Sequence, residues 1–117
     1  MKPETDNHVN VTRISTVQNY ISQHYRDDLK LEELAGLVSL APTSLCHLFK
    51  RYTGKRISDL IIETRIRNAK KLLATTNMTV RYVAYESGFS TLTNFNRHFK
   101  KLTGQTPVEY RESTSEK

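Results

Sequence analysis

The sequence has a single cysteine, Cys46, and no tryptophan. A lone thiol excludes an intrachain disulfide and makes a reducing cytoplasm the expected compartment. No apolar run approaches the roughly 18–20 residues that a membrane span needs. The first residues also lack the basic-then-apolar pattern of a secretory signal. No alternating β-branched run and no Asn-Gly hairpin turn argues for strands. The histidines His8, His24, His47 and His98 have neither metal-ligand spacing nor a thiol partner set, so no zinc site is expected. A Gly-rich phosphate loop, a nucleophile elbow and paired catalytic carboxylates are likewise missing. Neither an enzyme nor a bound cofactor is expected.

What is present suits a small soluble protein. The 117 residues are 37% apolar and 26% charged, enough for one compact unit or two very small subdomains. The formal net charge is +6, but its distribution says more than its sum. Between Pro42 and Gly104 there are twelve Lys and Arg against three acids, Asp59, Glu63 and Glu86, while the remainder is net acidic. A basic region in less basic surroundings is the electrostatic footprint of a nucleic-acid binder.

Along the chain, residues 1–8 are polar and read as a flexible lead. From Val11, the residues Ile14, Val17, Ile21 and Tyr25 step by three or four, so an amphipathic helix is expected over about 11–25. LEELAGLV (Leu31 to Val38) is a short second helix, and Pro42 suits the first turn of a third. An internal repeat then fixes the architecture. With a shift of 49, Leu34-Ala35 falls on Val83-Ala84 and Leu40 on Phe89; with a shift of 50, Leu45 meets Phe95, Phe49-Lys50 meets Phe99-Lys100, and Thr53-Gly54 meets Thr103-Gly104. Each copy reads as short helix, tight turn, longer helix and stop, which is the helix-turn-helix layout. Thr79 can cap the second copy's first helix, and Gly88 supplies a left-handed turn residue. Ser39 takes the Gly88 position in the first copy, a less comfortable choice. Ile57 to Thr76 contains no Gly or Pro and carries Ile62, Ile66, Ala69 and Leu73 at helical spacing. One long helix of about 19 residues, roughly 28 Å, is expected there.

The expectation is therefore an all-α fold with two helix-turn-helix subdomains joined by a long central helix. The first subdomain should span 9–56, the connecting helix 57–76 and the second subdomain 77–112, followed by a tail at 113–117.

At about 100° per residue, Leu45, Leu48, Phe49 and Tyr52 form a core stripe on the third helix, and Leu92, Phe95, Phe99 and Leu102 form one on the sixth. Opposite them lie Thr43, Cys46, His47 and Lys50 on one helix, and Thr93, Asn96, Arg97 and Lys100 on the other. Arg can fork onto guanine and Asn can bridge adenine, whereas basic residues further along can grip phosphate. Lys50, Arg51, Lys100 and Lys101 are the phosphate candidates. Any one such stripe is most simply a solvated helix face. Two matching stripes on repeated motifs in a basic region favour DNA. Arg67, Lys70 and Lys71 form a further basic stripe, as readily explained by solvation as by phosphate. Arg65 points to a structural hydrogen-bonding role, and His98, which matches Leu48, to partly buried packing. Asp27, Asp28, Glu32 and Glu33 make an acidic surface patch, and Cys46 reads as a small exposed residue rather than a redox switch.

These residues resemble a known family. Arg65 to Arg111 is similar to the C-terminal half of the DNA-binding domain of AraC/XylS-type transcription regulators. The match lies in Arg65-Ile66 with Ala69 and Leu72-Leu73, Val83-Ala84, Gly88-Phe89-Ser90, Phe95-Asn96-Arg97 with Phe99-Lys100-Lys101, Gly104, Thr106-Pro107 and Tyr110-Arg111. A weaker likeness extends it to about residues 9–111. The resemblance implies seven helices and two helix-turn-helix motifs entering successive major grooves of double-stranded promoter DNA. It also implies base reading by Thr43, Cys46, His47, Thr93, Asn96 and Arg97, and regulation of transcription, with activation and contact with RNA polymerase. Ala41 departs from the family's frequent capping serine, His47 from a common arginine and Tyr82 from a frequent glutamate. Such regulators usually carry an effector-binding or dimerisation domain ahead of this one. This chain has no room for it, so a stand-alone regulator or a fragment of a longer protein is expected; an effector would act only through a domain absent from the chain, and the polar start would suit a linker stump. The competing readings are a sequence-neutral nucleic-acid or RNA binder and a helical protein-interaction module.

Overall fold

The computed structural model describes the backbone of residues 3–114. Among these, seven helices follow one another: α1 Pro3–His24, α2 Leu31–Leu37, α3 Pro42–Thr53, α4 Ile57–Thr75, α5 Val80–Glu86, α6 Leu92–Thr103 and α7 Pro107–Thr114. No strand occurs among the described residues, as the missing alternation of the sequence implies. The chain divides into two units. The first comprises the residues up to His24 with Asp28–Ile61; the second comprises Tyr25–Asp27 with the residues from Ile62 onward. The long helix α4 gives its first turn to the first unit and the rest to the second.

In the first unit Ile14, Val17 and Ile21 of α1 are buried with Leu34, Ala35, Val38, Leu45, Phe49 and Ile57. In the second, Ile66, Ala69 and Leu73 of α4 are buried with Val83, Ala84, Phe89, Phe95 and Phe99. The three- and four-residue spacing thus places each stripe inside one core.

The repeat is visible in backbone detail. Each motif turn closes with an amide bonded five residues back, Leu40 to the Ala35 carbonyl and Phe89 to the Ala84 carbonyl, both at 3.0 Å. Such a bond needs a left-handed residue just before it. Gly88 supplies φ +105° and Ser39 supplies φ +59°, the one non-glycine with positive φ among the described residues. Each longer helix ends the same way. The amides of Gly54 and Gly104 reach the carbonyls of Lys50 and Lys100 at 2.8 Å. The hydroxyls of Thr53 and Thr103 donate to the carbonyls of Phe49 and Phe99 at 2.8 Å. They accept from the amides of Lys55 and Gln105 at 3.1 Å. The Thr-Gly pair is a helix stop built twice.

Two expectations are corrected. Helix α1 begins at Pro3, so residues 3–8 of the expected flexible lead are helical; residues 1–2 lie outside the described chain. A polar stretch can continue a helix without supplying core, and apolar periodicity detects only the packed part. Val11, the first residue of that pattern, is nevertheless 49% exposed, and the buried part of the pattern starts at Ile14. Leu102, expected in the core stripe of α6, is 46% exposed. It lies one turn past Phe99, beside a shallow depression that Glu63, Ile66 and Arg67 also line, so the core ends a turn before the helix does.

Candidate nucleic-acid interface

Helix α3 starts with Pro42 in its first turn and has Ala41 as N-cap, with no side-chain cap bond. Helix α6 starts from Thr91, whose hydroxyl accepts the Asn94 amide at 3.1 Å. Both carry their basic pair in the last turn, Lys50 and Arg51 or Lys100 and Lys101, where positive charge suits the carbonyl end of the helix dipole.

Burial sorts each helix into two faces. Leu45 and Phe49 are inside, and Thr43, Cys46, His47, Lys50 and Arg51 are all exposed. Phe95 and Phe99 are inside, and Thr93, Asn96, Arg97, Lys100 and Lys101 are all exposed. Steps of three, four and seven put each exposed set on one helix side. The structure therefore gathers the ten residues into two stripes, one on each unit.

The second stripe is the better braced. Arg97 donates from Nη2 to Asn94 Oδ1 at 2.8 Å, which orients the guanidinium on the helix surface. Asn94 lies outside the sequence-derived set, although a polar residue three positions before an arginine is the signal that finds it. Beneath the stripe the rings of Phe89 and Phe95 lie 5.2 Å apart, those of Phe95 and Phe99 5.5 Å, and those of Phe99 and Tyr110 5.6 Å. His98 is half-buried and stacks on Phe89 at 6.1 Å. Loss of water around its imidazole, then the charges of Arg97 and Lys101, lower its pKa below 6.5.

Arg65 fulfils the structural role expected of it. Its Nε donates to the Tyr25 carbonyl at 2.7 Å and its Nη2 to the Asp27 carbonyl at 2.8 Å. Gly88 lies so close that a Cβ there would fall 2.6 Å from the Tyr25 carbonyl oxygen and 2.8 Å from Arg65 Nε. Glycine is needed for room as well as for φ. Arg26 pairs with Glu86 at 2.7 Å. Tyr82, the departure from the frequent glutamate, hydrogen-bonds Glu86, and this bond with the carboxylate's charge raises the phenol above its usual 10.0. Lys70 of the third basic stripe lies over the Tyr110 ring at 5.7 Å, which gives it a packing role, whereas Arg67 and Lys71 are exposed. Arg111 donates to the carbonyls of Leu73 and Thr76 at 3.1 and 3.2 Å, holding the end of α4. No helix among the described residues is long and apolar enough to cross a membrane.

Known proteins share this pattern along most of the chain. Residues 34–113 match the family model of a helix-turn-helix domain. The chain belongs to the AraC-type helix-turn-helix family. It is 36% identical over 118 residues to the arabinose operon regulatory protein of Escherichia coli, covering all of this chain and 39% of that one. It is 35% identical over 103 residues to an uncharacterized HTH-type transcriptional regulator of Staphylococcus aureus, covering 88% of this chain. The match spans only 14% of the length of that regulator. Among solved structures, the DNA-binding domain of the global transcriptional factor AdpA, in complex with a target DNA, superposes with a TM-score of 0.81 at 25% identity, over 86% of this chain and 90% of that one.

Proposed function

We propose that this chain binds duplex DNA sequence-specifically at promoters and regulates transcription. The observation that carries this reading is the repeated pair of exposed polar stripes on α3 and α6, each backed by a buried stripe and each second in a helix-turn-helix. The family membership and the DNA complex of the AdpA domain support it. In this reading α3 and α6 enter two successive major grooves, and the bound protein activates transcription through RNA polymerase. Thr93, Asn96 and Arg97 read bases, as do Thr43, Cys46 and His47, while Lys50, Arg51, Lys100 and Lys101 hold phosphates.

The two motifs are unequal readers. Arg97 offers a fixed fork of donors already oriented by Asn94, and such a fork fits guanine. The His47 imidazole lacks such a fork, and the Cys46 thiol is a weak donor. The test is binding of the chain to a selected site, to every single-base change of it, and to random duplex, at fixed salt. Arg97→Ala should lose about 1–3 kcal/mol on the selected site and relax preference at one base pair. His47→Ala should lose less and keep the preference. Lys100→Ala should weaken selected and random duplexes alike. Equal affinity of the unaltered chain for selected and random duplexes would replace this reading with sequence-neutral binding.

A further inference from the structure

The first unit contains a groove of 760 Å³ between the start of α2, the outward side of α3 and the first turn of α4. Its apolar lining comes from Leu29, Leu31, Leu34, Ile57 and Ile61. Its basic lining comes from Lys50, Arg51 and Arg56. No acidic residue lines it, and among the described residues none of these three cations has an ion pair or a side-chain hydrogen bond. The volume lies inside the roughly 300–1,000 Å³ range of small-molecule sites, which are mainly apolar with a few convergent polar groups.

The matching positions of the second unit carry different groups. In the second unit Arg111 stands where Ile61 stands in the first, and it is engaged by the carbonyls of Leu73 and Thr76. Pro107 likewise replaces Ile57. In α7 a guanidinium thus takes the place of Ile61 in that wall, while Pro107 stays apolar and buried.

An apolar trough edged by unpaired cations is complementary to an amphipathic anion. We propose that the groove binds an organic acid with one carboxylate and an apolar body. The body lies on the leucine and isoleucine side chains, and the carboxylate meets the guanidinium groups of Arg51 and Arg56, whose planar forks suit it. Cys46, His47 and Lys50 also line the groove, and they belong to the stripe assigned to DNA. Occupancy and DNA contact by the first motif therefore exclude each other. That second step rests on the DNA reading; binding of the acid does not.

Decanoate, below its micellar concentration, is the probe, with hexanoate and decanol as comparators. Methyl NMR of the 117-residue chain without DNA reads binding directly. Saturable shifts are expected at Leu29, Leu31, Ile57 and Ile61, with affinity falling about fourfold for each methylene removed. Decanol should bind about tenfold more weakly, and Arg56→Gln, at an exposed position, should weaken decanoate to a similar extent. Ile61→Trp should fill the groove and remove binding; should it unfold the chain, Arg56→Gln carries the test. Absence of saturable shifts, or equal affinity of decanoate for the unaltered chain and Arg56→Gln, overturns the site. Titration of decanoate into the DNA complex should release DNA from the unaltered chain but not from Ile61→Trp. Decanoate bound in the groove with DNA affinity unchanged overturns the mutual exclusion. A chain that shows the methyl shifts but binds no DNA counts against the DNA reading alone.

Discussion

The first and second units carry one plan with different local finish. In the second, Thr79 and Thr91 cap α5 and α6 through their hydroxyls. Thr106 and Glu109 form a reciprocal capping box at α7, with bonds of 2.9 and 3.1 Å. In the first, the matching positions are Lys30, Ala41 and Arg56, and neither Lys30 nor Ala41 makes a side-chain cap bond. The second turns on glycine and the first on a serine held at positive φ. The second packs three phenylalanines into its core where the first has one, Phe49, among aliphatic residues. The same backbone is therefore reached with strong local signals or with weak ones, because burial of the amphipathic faces supplies most of the helix stability. The first unit depends more on its core, and it should open more readily.

The most direct way to break that comparison is to remove core. Phe95 and Leu45 are repeat partners, and both are fully buried. Phe95→Ala should cost about 3–5 kcal/mol and Leu45→Ala about 2–5 kcal/mol. Denaturant melts measure the loss, and amide exchange locates it, in α5 and α6 for the first variant and in α2 and α3 for the second. Undiminished stability in either variant would show the core assignment to be wrong.

The turns come next. Gly88→Ala would place a Cβ 2.6 Å from the Tyr25 carbonyl oxygen at a φ that side chains disfavour, so a loss of about 1–3 kcal/mol is expected. Ser39→Gly relieves the same backbone conformation in the first unit and should gain about 0.5–1 kcal/mol. Opposite signs in the two melts sharpen the contrast; a loss in both would mean that the serine hydroxyl contributes more than its backbone costs.

Caps give a change of about 1 kcal/mol in either direction. Thr91→Ala should lose that amount. Ala41→Thr should gain part of it, since Ala41 already has the extended backbone of an N-cap, φ −69° and ψ 151°. Thermal melts of the two single variants and of the double variant decide the matter, and near-additivity is expected because the two caps share no partner.

Much of the fold was legible in the residues. The shifts of 49 and 50 place both motifs, and the apolar stripes of α1, α3, α4 and α6 name ten of the seventeen buried apolar residues among those described. The polar start of α1 was not legible, because periodicity reports apolar spacing and residues 3–8 carry no apolar side chain at helical intervals. Leu102 misleads for the opposite reason: its spacing is right, but the core stops at Phe99. The exposed sets on α3 and α6 follow from spacing alone, whereas the Arg97–Asn94 bond depends on rotamers that spacing does not specify. Gly88 reads from sequence as a turn residue, yet its closeness to Tyr25 and Arg65 joins segments far apart in the chain. The groove is hidden for the same reason, since its lining comes from three separate stretches.

Acid should erode the difference between the units, through His98. Its first-unit counterpart is Leu48, which does not titrate. Burial against Phe89, then the charges of Arg97 and Lys101, hold the folded pKa of His98 below 6.5. The unfolded chain therefore binds a proton there more readily than the folded one. Between the two pKa values the unfolded state holds more protons, so stability falls as pH drops. The His98 contribution is fully present above about 6.5 and is lost as pH falls from there through the folded pKa. The imidazole is only half-buried, so the effect should be smaller than that of either cap. Melting temperatures between pH 7.5 and 5 should decline more steeply for the unaltered chain than for His98→Leu, which writes the first unit's residue into the second. The other histidines are common to both proteins and drop out of the difference. Amide exchange should show the added acid sensitivity in α5 and α6 rather than in α2 and α3. Parallel melting curves for the two proteins would mean that His98 is as well hydrated folded as unfolded, and that its stacking on Phe89 does not persist in solution.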